Sequence, residues 1–429
     1  MKVMSRLHTL MQSRFARNIS ILAGGTAFAQ LVGLISLPFL TRIYTPEDFT
    51  ILATYASILA LLISIVCLRF EVAIPIPEEL DDAVHLLVLS IISVISITLL
   101  TWFVVSVGET WINKQTNQRL EGYLWLLPIG VFFSGLYKAL QYWVIREKVF
   151  SLVAKTRMTQ AIASNTTQLA LGFMGVTPFG LLFGQLLNSG AGCIRLIKYF
   201  IQEYKSILSQ ISVAKLKSVF GRYDRFPKYS TWEALTNSAG IQVPILIIAT
   251  FTIGVEAGFL ILAMRLLSMP MKLISKAVGQ VYLAEAAEKY HKGELESFTR
   301  KTIVMLAKVG FFPLFLVCAT APLAIPFILG DGWQRTGVLI SWMVPWFFIQ
   351  FIASPISMSL HITNNQIIAM LLQVTGLVIR AGSVWVAGNY FNEWVGEVYA
   401  ISSFVFYLLY LIVVIFLIKK NGKYQPVIK

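Results

Sequence analysis

The chain has 429 residues, 57% of them hydrophobic and 13% charged, which is too apolar for a water-soluble protein of this length and points to membrane-spanning helices. Its 35 Lys and Arg against 21 Asp and Glu leave a net charge of +14, which reads as basic loops facing an anionic membrane surface rather than as a nucleic-acid footprint. Three cysteines (Cys67, Cys193, Cys318) and four histidines (His8, His85, His291, His361) are dispersed along the chain, so neither a metal site nor a disulfide framework is indicated.

Arg6, Arg14 and Arg17 precede an apolar run from Ile19 to Leu40. The run is too long for a signal peptide and no small-residue cleavage site follows it, so it reads as a retained first span. In chain order the expected spans are 18–41, 49–68, 83–107, 122–144, 153–175, 179–200, 231–251, 257–277, 303–329, 338–360, 367–387 and 398–418. Turn chemistry bounds several of them: TPED at 45–48, VTP at 176–178 and GDGW at 330–333. The longest outer connection is expected at Gly108–Arg119. The expected organisation is an N-terminal six-helix lobe over 1–200, a cytoplasmic basic linker over 201–230, and a C-terminal six-helix lobe over 231–429. The linker is apolar at Tyr204, Ile207, Ile211, Leu216 and Phe220 with basic residues between, the pattern of an amphipathic helix on the inner leaflet. With the N-terminus inside, 25 Lys and Arg fall in inner segments and 4 in outer ones, which places both termini in the cytoplasm. The halves share a weak likeness: after the first span of each, a short outer loop carries a Glu (Glu47, Glu256). Two such halves would repeat in parallel about an axis along the membrane normal.

Charges inside spans carry the functional information, because each is expensive in hydrocarbon, about 2.5–3.5 kcal/mol or more. Arg265 lies seven residues into GFLILAMRLLSMPMKLISKA, and Lys272 and Lys276 follow seven and eleven positions later. At about 100° per residue the three fall within roughly 20° of one line, a basic stripe along one helix face. Arg265 is expected to bind an anion, the alternative being a structural contact with a neighbouring helix. Lys272 and Lys276 could instead snorkel to the headgroups, as is expected of Lys138 and Lys308. Arg380, in VTGLVIRAGSVWV, is expected near mid-depth. Arg69 and Glu71, at the inner end of the second span, read as a local ion pair or as a gate. Thr26 and Gln30 offer polar groups one turn apart on the first span. Glu233, Asn237 and Gln242 do so on the seventh, before Pro244. Gly24, Gly25 and Gly33 fit close helix packing.

No GxxxxGK[ST], HExxH or GxSxG motif and no His/Cys/carboxylate cluster occurs in the sequence, so neither an enzyme nor a cofactor is expected. A polytopic glycan polymerase or ligase would place its catalytic groups on a large outer loop, and the expected outer loops are a dozen residues or fewer. A membrane scaffold gives no account of a basic stripe at mid-depth.

Several segments together resemble a known family. They are RFEVAIPIPEELDDA, QYWVIREKVF, RFPKYSTWEALTNSAGIQVPILI, RLLSMPMKLISKAVGQVYLAEAAE, and LGDGWQRTG followed by WMVPWFFIQFIASPIS. In this order, and across nearly the whole chain, they are similar to the polysaccharide-flippase (Wzx-type) branch of the MOP exporter superfamily. The resemblance implies an all-α, MATE-like transporter of twelve helices in two lobes with a V-shaped cavity between them, in the bacterial inner membrane. It implies translocation of an undecaprenyl-pyrophosphate-linked glycan from the inner to the outer leaflet, alongside other polysaccharide assembly proteins. It places Arg265 and Arg380, with Lys272 and Lys276 behind them, in a cationic cavity, and leaves Arg69, Glu71, Gln30, Glu233 and Asn237 for gating or coupling. Coupling would draw on an H+ or Na+ gradient or on consumption of the product outside. No acid sits near mid-depth in the first six spans, unlike cation-exporting relatives, which disfavours cationic drug export. A MATE-like exporter of small molecules nevertheless remains the alternative, since fold does not fix function.

Overall fold

A computed structural model describes residues 14–204, 211–251, 255–357, 359–363 and 365–421. Within them the chain is helical, with no strand among the described residues. In chain order the helices are α1 (Arg14–Ile43), α2 (Pro46–Ile65), α3 (Phe70–Ala73), α4 (Leu80–Gln115), α5 (Leu126–Arg146), α6 (Phe150–Phe173), α7 (Phe179–Gly190) and α8 (Cys193–Tyr204). They continue with α9 (Val213–Arg222), α10 (Thr231–Phe251), α11 (Glu256–His291), α12 (Leu295–Leu329), α13 (Gln334–Ile356), α14 (Ser359–Ile362), α15 (Gln366–Tyr390) and α16 (Val395–Asn421).

Eight helical stretches among the described residues are long and apolar enough to cross a membrane, where twelve spans were expected. The fifth expected span, in α6, turns Gln160, Ser164, Asn165 and Gln168 into the protein, so its composition is too polar to register. The sixth is broken at residues 191–192 into two helices of 12 residues each, α7 and α8. The eighth, in α11, carries Arg265, Lys272 and Lys276, and several of its side chains lie outside the described residues. Large side chains on the other helices face outward without cover; Leu323 and Phe327 on α12 are 81% and 87% exposed. Such a surface is stable in hydrocarbon and unfavourable in water.

Two expected loops are helical instead. At 36 residues, α4 is about 54 Å long and runs on through Gly108 to Gln115. Nothing in GETWINKQ breaks it until Asn117 and Gln118 take left-handed backbone, φ 50° and 59°. Likewise α11 continues 14 residues past the expected end of its span at 277 and returns through a three-residue turn into α12. Gly293, at φ 71°, makes that turn, and the two helices are tied by the Tyr282 and Thr299 hydroxyls, 2.7 Å apart.

The described chain groups into two compact units. The first comprises Met1–Tyr44 and Thr54–Ser238 so far as they are described, and the second Thr45–Ala53 and Ala239–Lys429. In the first, α1 lies against α6 and α6 against α7. Gly25 permits the first approach, because a Cβ there would stand 2.6 Å from that of Ala154. Trp143 is fully buried against Phe200 and Tyr204. The Tyr44 hydroxyl donates to the Gln168 carbonyl at 2.7 Å, and the Tyr55 hydroxyl to that of Leu126 at 3.2 Å.

In the second unit, α13 is the central helix, packed on α11, α12 and α16. Residues 45–53 belong here through the start of α2. Asp48 accepts from the Thr45 amide and hydroxyl, at 2.8 and 2.9 Å, while its own amide donates back to that hydroxyl, a capping box. The Thr50 hydroxyl accepts from the Gly258 amide at 2.9 Å. A Cβ at Gly258 would meet the Pro46 carbonyl oxygen at 2.1 Å, so only glycine admits this contact.

Candidate functional site

Buried charge is the scarce commodity in these helices, and the two units handle it differently. In the first, Cys67–Arg69 form the break between α2 and α3, with Leu68 and Arg69 both in left-handed backbone, φ 48° and 64°. That turn drives Glu71 into the interior, where it is 0% exposed. Lys138 on α5 meets it, Nζ to Oε1 at 2.9 Å, with a second bond from Nζ to the Ile63 carbonyl at 3.2 Å. Arg69 Nη1 stands 3.9 Å from the same carboxylate oxygen. Lys138 was expected to snorkel; instead it closes a buried ion pair, because Glu71 offers it a counter-charge.

Cation pairing extends to the surface helix α9. Lys215 reaches Asp81 and Asp82 at 3.0 and 3.2 Å, and Arg222 bonds to Asp82. The His85 ring takes the amide of Ser212, the residue preceding α9, on Nε2 at 3.3 Å, and its Nδ1 lies 2.7 Å from the Asp81 carbonyl. Phe220 packs on Phe70. Asp81 and Asp82 sit in the first turn of α4, where carboxylates are favoured by the helix dipole, and they hold Lys215 protonated above its ordinary range. The expected amphipathic linker is thus a ten-residue helix docked on its own unit by charge; residues 205–210 lie outside the described residues.

In the second unit Arg265 and Arg380 have no carboxylate partner among the described residues. Arg265 lies on α11 nine residues after Glu256, about 14 Å along the axis. It is partly exposed, and its guanidinium has no hydrogen-bond or ion-pair partner among the described residues. Lys272 and Lys276 belong to the same helix, but their side chains lie outside the described residues. Arg380 on α15 is only 1% exposed. Its Nε donates to the Gly376 carbonyl at 2.9 Å, its Cζ lies 4.6 Å from the Phe406 ring centroid, and Nη1 is buried with no partner. Two glycines shape this pocket: a Cβ at Gly240 would stand 2.5 Å from Arg380 Nη2, and one at Gly376 would stand 2.4 Å from Phe406. The ring face partly offsets the charge, and no carboxylate among the described residues completes the neutralisation.

The remaining sequence-derived positions are dispersed. Glu233 and Asn237 are exposed, one turn apart on α10. Gln30 on α1 is partly buried, with its side-chain oxygen enclosed and unpartnered. Sequence reasoning overlooked two features. One is Arg335, which bonds to Glu256 (2.8 Å) and Glu397 (2.5 Å) and thereby joins the first turns of α11, α13 and α16. Each of the three is near the start of a helix, but nothing in the sequence pairs them. The other is Arg157, seven residues into α6.

Residues 39–337, more than half of the chain, match the polysaccharide biosynthesis protein family. The chain belongs to that family. No curated protein matches it. Among solved structures it is similar to the lipid II flippase MurJ in an inward closed conformation, with 15% identity over 94% of this chain and 90% of that one, at a TM-score of 0.64. It is also similar to a MOP superfamily transporter from Pyrococcus furiosus, with 14% identity over 97% and 98% at a TM-score of 0.58. A third is the Vibrio cholerae MATE transporter VcmN, with 9% identity over 96% and 98% at 0.56. At such identities the likeness is one of fold. This member of the polysaccharide biosynthesis family is therefore a multi-pass membrane protein with the MOP fold, as its resemblance to the polysaccharide-flippase branch implies.

Proposed function

We propose that the chain translocates an undecaprenyl-pyrophosphate-linked oligosaccharide from the cytoplasmic to the outer leaflet of the bacterial inner membrane, by alternating access and with both termini cytoplasmic. The observation that carries this reading is Arg265, a partly exposed guanidinium nine residues into α11 with no carboxylate partner among the described residues. A cation of this kind without a counter-charge wants an anion, and the planar donor fork of arginine suits a phosphate oxygen pair. A family of polysaccharide biosynthesis supplies the class of cargo that carries such a group, and the MurJ likeness adds that a lipid-linked cargo fits the fold. Without such a protein the diphosphate and sugar hydroxyls would cross hydrocarbon unpaired, each at a cost of several kcal/mol.

In this mechanism Arg265 neutralises the diphosphate first, and Lys272 and Lys276 extend its stripe. Arg380 reaches the ligand only in a state in which Gly240 and Phe406 have opened from it. Arg69, Glu71, Gln30, Glu233 and Asn237 serve gating or coupling, with an H+ or Na+ gradient or downstream consumption of the glycan as the driving force. A MATE-like exporter of cationic small molecules would want an unneutralised acid, and Glu71 is matched by Lys138. The test is translocation of labelled undecaprenyl-pyrophosphate sugar in proteoliposomes. Wild type flips the lipid and Arg265→Ala, folded to the same extent, loses about 100-fold or more, the cost of one charge-assisted anion contact. Unimpaired flipping by Arg265→Ala removes the residue from the mechanism. Transport of a cationic dye, with no lipid flipping, would establish the exporter reading instead.

A further inference from the structure

The first unit also holds an arginine with no counter-charge among the described residues. Arg157 lies seven residues from the start of α6, about 10 Å along the axis, and is partly exposed. A free arginine at that position would extend back toward the headgroups. This one is held instead: its Nη1 donates to the Thr26 hydroxyl on α1 at 2.6 Å, and it stands beside the Tyr137 hydroxyl, which is engaged with Thr156 at 3.0 Å. These partners are neutral. They orient the guanidinium but leave its charge and most of its five N–H donors unused. Lys138 and Arg146 in the same unit differ in that each has a carboxylate, Glu71 at 2.9 Å and Glu147 at 2.8 Å. Arg157 has none among the described residues. One turn beyond Thr26, on the same face of α1, Gln30 carries an enclosed side-chain oxygen with no partner.

We propose that Arg157 is an anion-binding residue of the first unit, aimed by Thr26 and Tyr137, and that it takes a phosphate-type group with Gln30 accepting from an adjacent hydroxyl donor. The source of that phosphate in the present reading is the diphosphate of the lipid-linked glycan, so the inference rests on the proposed function for its ligand but on separate residues for its site.

The test uses the full chain in lipid nanodiscs and measures binding of undecaprenyl pyrophosphate and of inorganic pyrophosphate, with undecaprenol as the uncharged control. Arg157→Gln weakens the lipid diphosphate by about tenfold or more, as loss of one charged donor pair implies. Arg157→Lys restores part of the loss, and Thr26→Val, which removes the tether that aims the guanidinium but keeps its charge, weakens the lipid diphosphate by less than Arg157→Gln does. Wild-type affinity in Arg157→Gln overturns the inference. So does Thr26→Val reproducing both its affinity loss and its fall in Tm, because that is the signature of a helix clamp. Pyrophosphate binding without lipid binding upholds an anion site and overturns the lipid as its source. Loss of lipid binding in Arg265→Ala but not in Arg157→Gln defeats this inference alone, whereas no diphosphate binding by wild type defeats the proposed function with it.

Discussion

Glu71 and Lys138 show how a single residue's worth depends on its partner. Glu71 is fully enclosed and Lys138 keeps 21% of its side chain exposed. Removing one member strands the other charge in a medium that does not solvate it. Glu71→Ala should therefore cost about 3–5 kcal/mol and lower the Tm of the purified protein in detergent. The double change Glu71→Ala with Lys138→Met should recover much of that loss, since an apolar pair of similar volume is often neutral. A double variant no more stable than the single one would show that the pair is not what holds α5 against the α2–α3 break. Arg380 poses the opposite case. Its charge is offset by a ring face and a helix carbonyl rather than by an acid among the described residues.

At the scale of elements, α9 is joined to the start of α4 by Lys215, Arg222, Asp81, Asp82 and the His85–Ser212 bond. Exposed ion pairs are individually weak, but Asp82 is almost fully buried and accepts both cations. Asp82→Asn should release the helix, read as faster amide exchange over 213–222 with exchange in α4 beyond its first turn unchanged. The pH dependence follows from Lys215, whose folded pKa is raised from 10.5, first by Asp81 and then by Asp82. A raised lysine pKa contributes stability that is complete below the unfolded value and is lost as pH rises through the folded one. Protection of α9 should thus be unaffected by this group through neutral pH and should fall only above about 10.5. Helix extension is the other element-scale finding. Segments 108–115 and 278–291 were expected as loops because they are polar, yet polarity alone does not end a helix; left-handed residues and Gly293 do.

For the whole molecule, the test of topology is direct. Single cysteines in the outer segments, for instance at Glu121 or Gly332, should be labelled by an impermeant maleimide in intact cells. Cysteines at Glu147 or Lys292 should be labelled only after permeabilisation. The reverse pattern would overturn the orientation drawn from the loop charges, and with it the direction of transport. Composition, the order of apolar runs, the loop charge bias and the family-like segments were legible in the sequence, because bilayer thickness and the cost of charge in hydrocarbon act on each segment locally. So was Arg265, a charge that no local partner could explain. Contacts between distant segments were not legible. That Lys138 neutralises Glu71, that Arg335 binds Glu256 and Glu397, that Thr26 holds Arg157, and that Arg380 stacks on Phe406 depend on residues 26 to 131 positions apart. Sequence by itself determined that the chain is helical and apolar enough to span a membrane, and which charges needed explaining. Only the tertiary structure decided which of those charges are neutralised and which have no carboxylate partner among the described residues, since neutralisation depends on distances between helices that no single segment encodes.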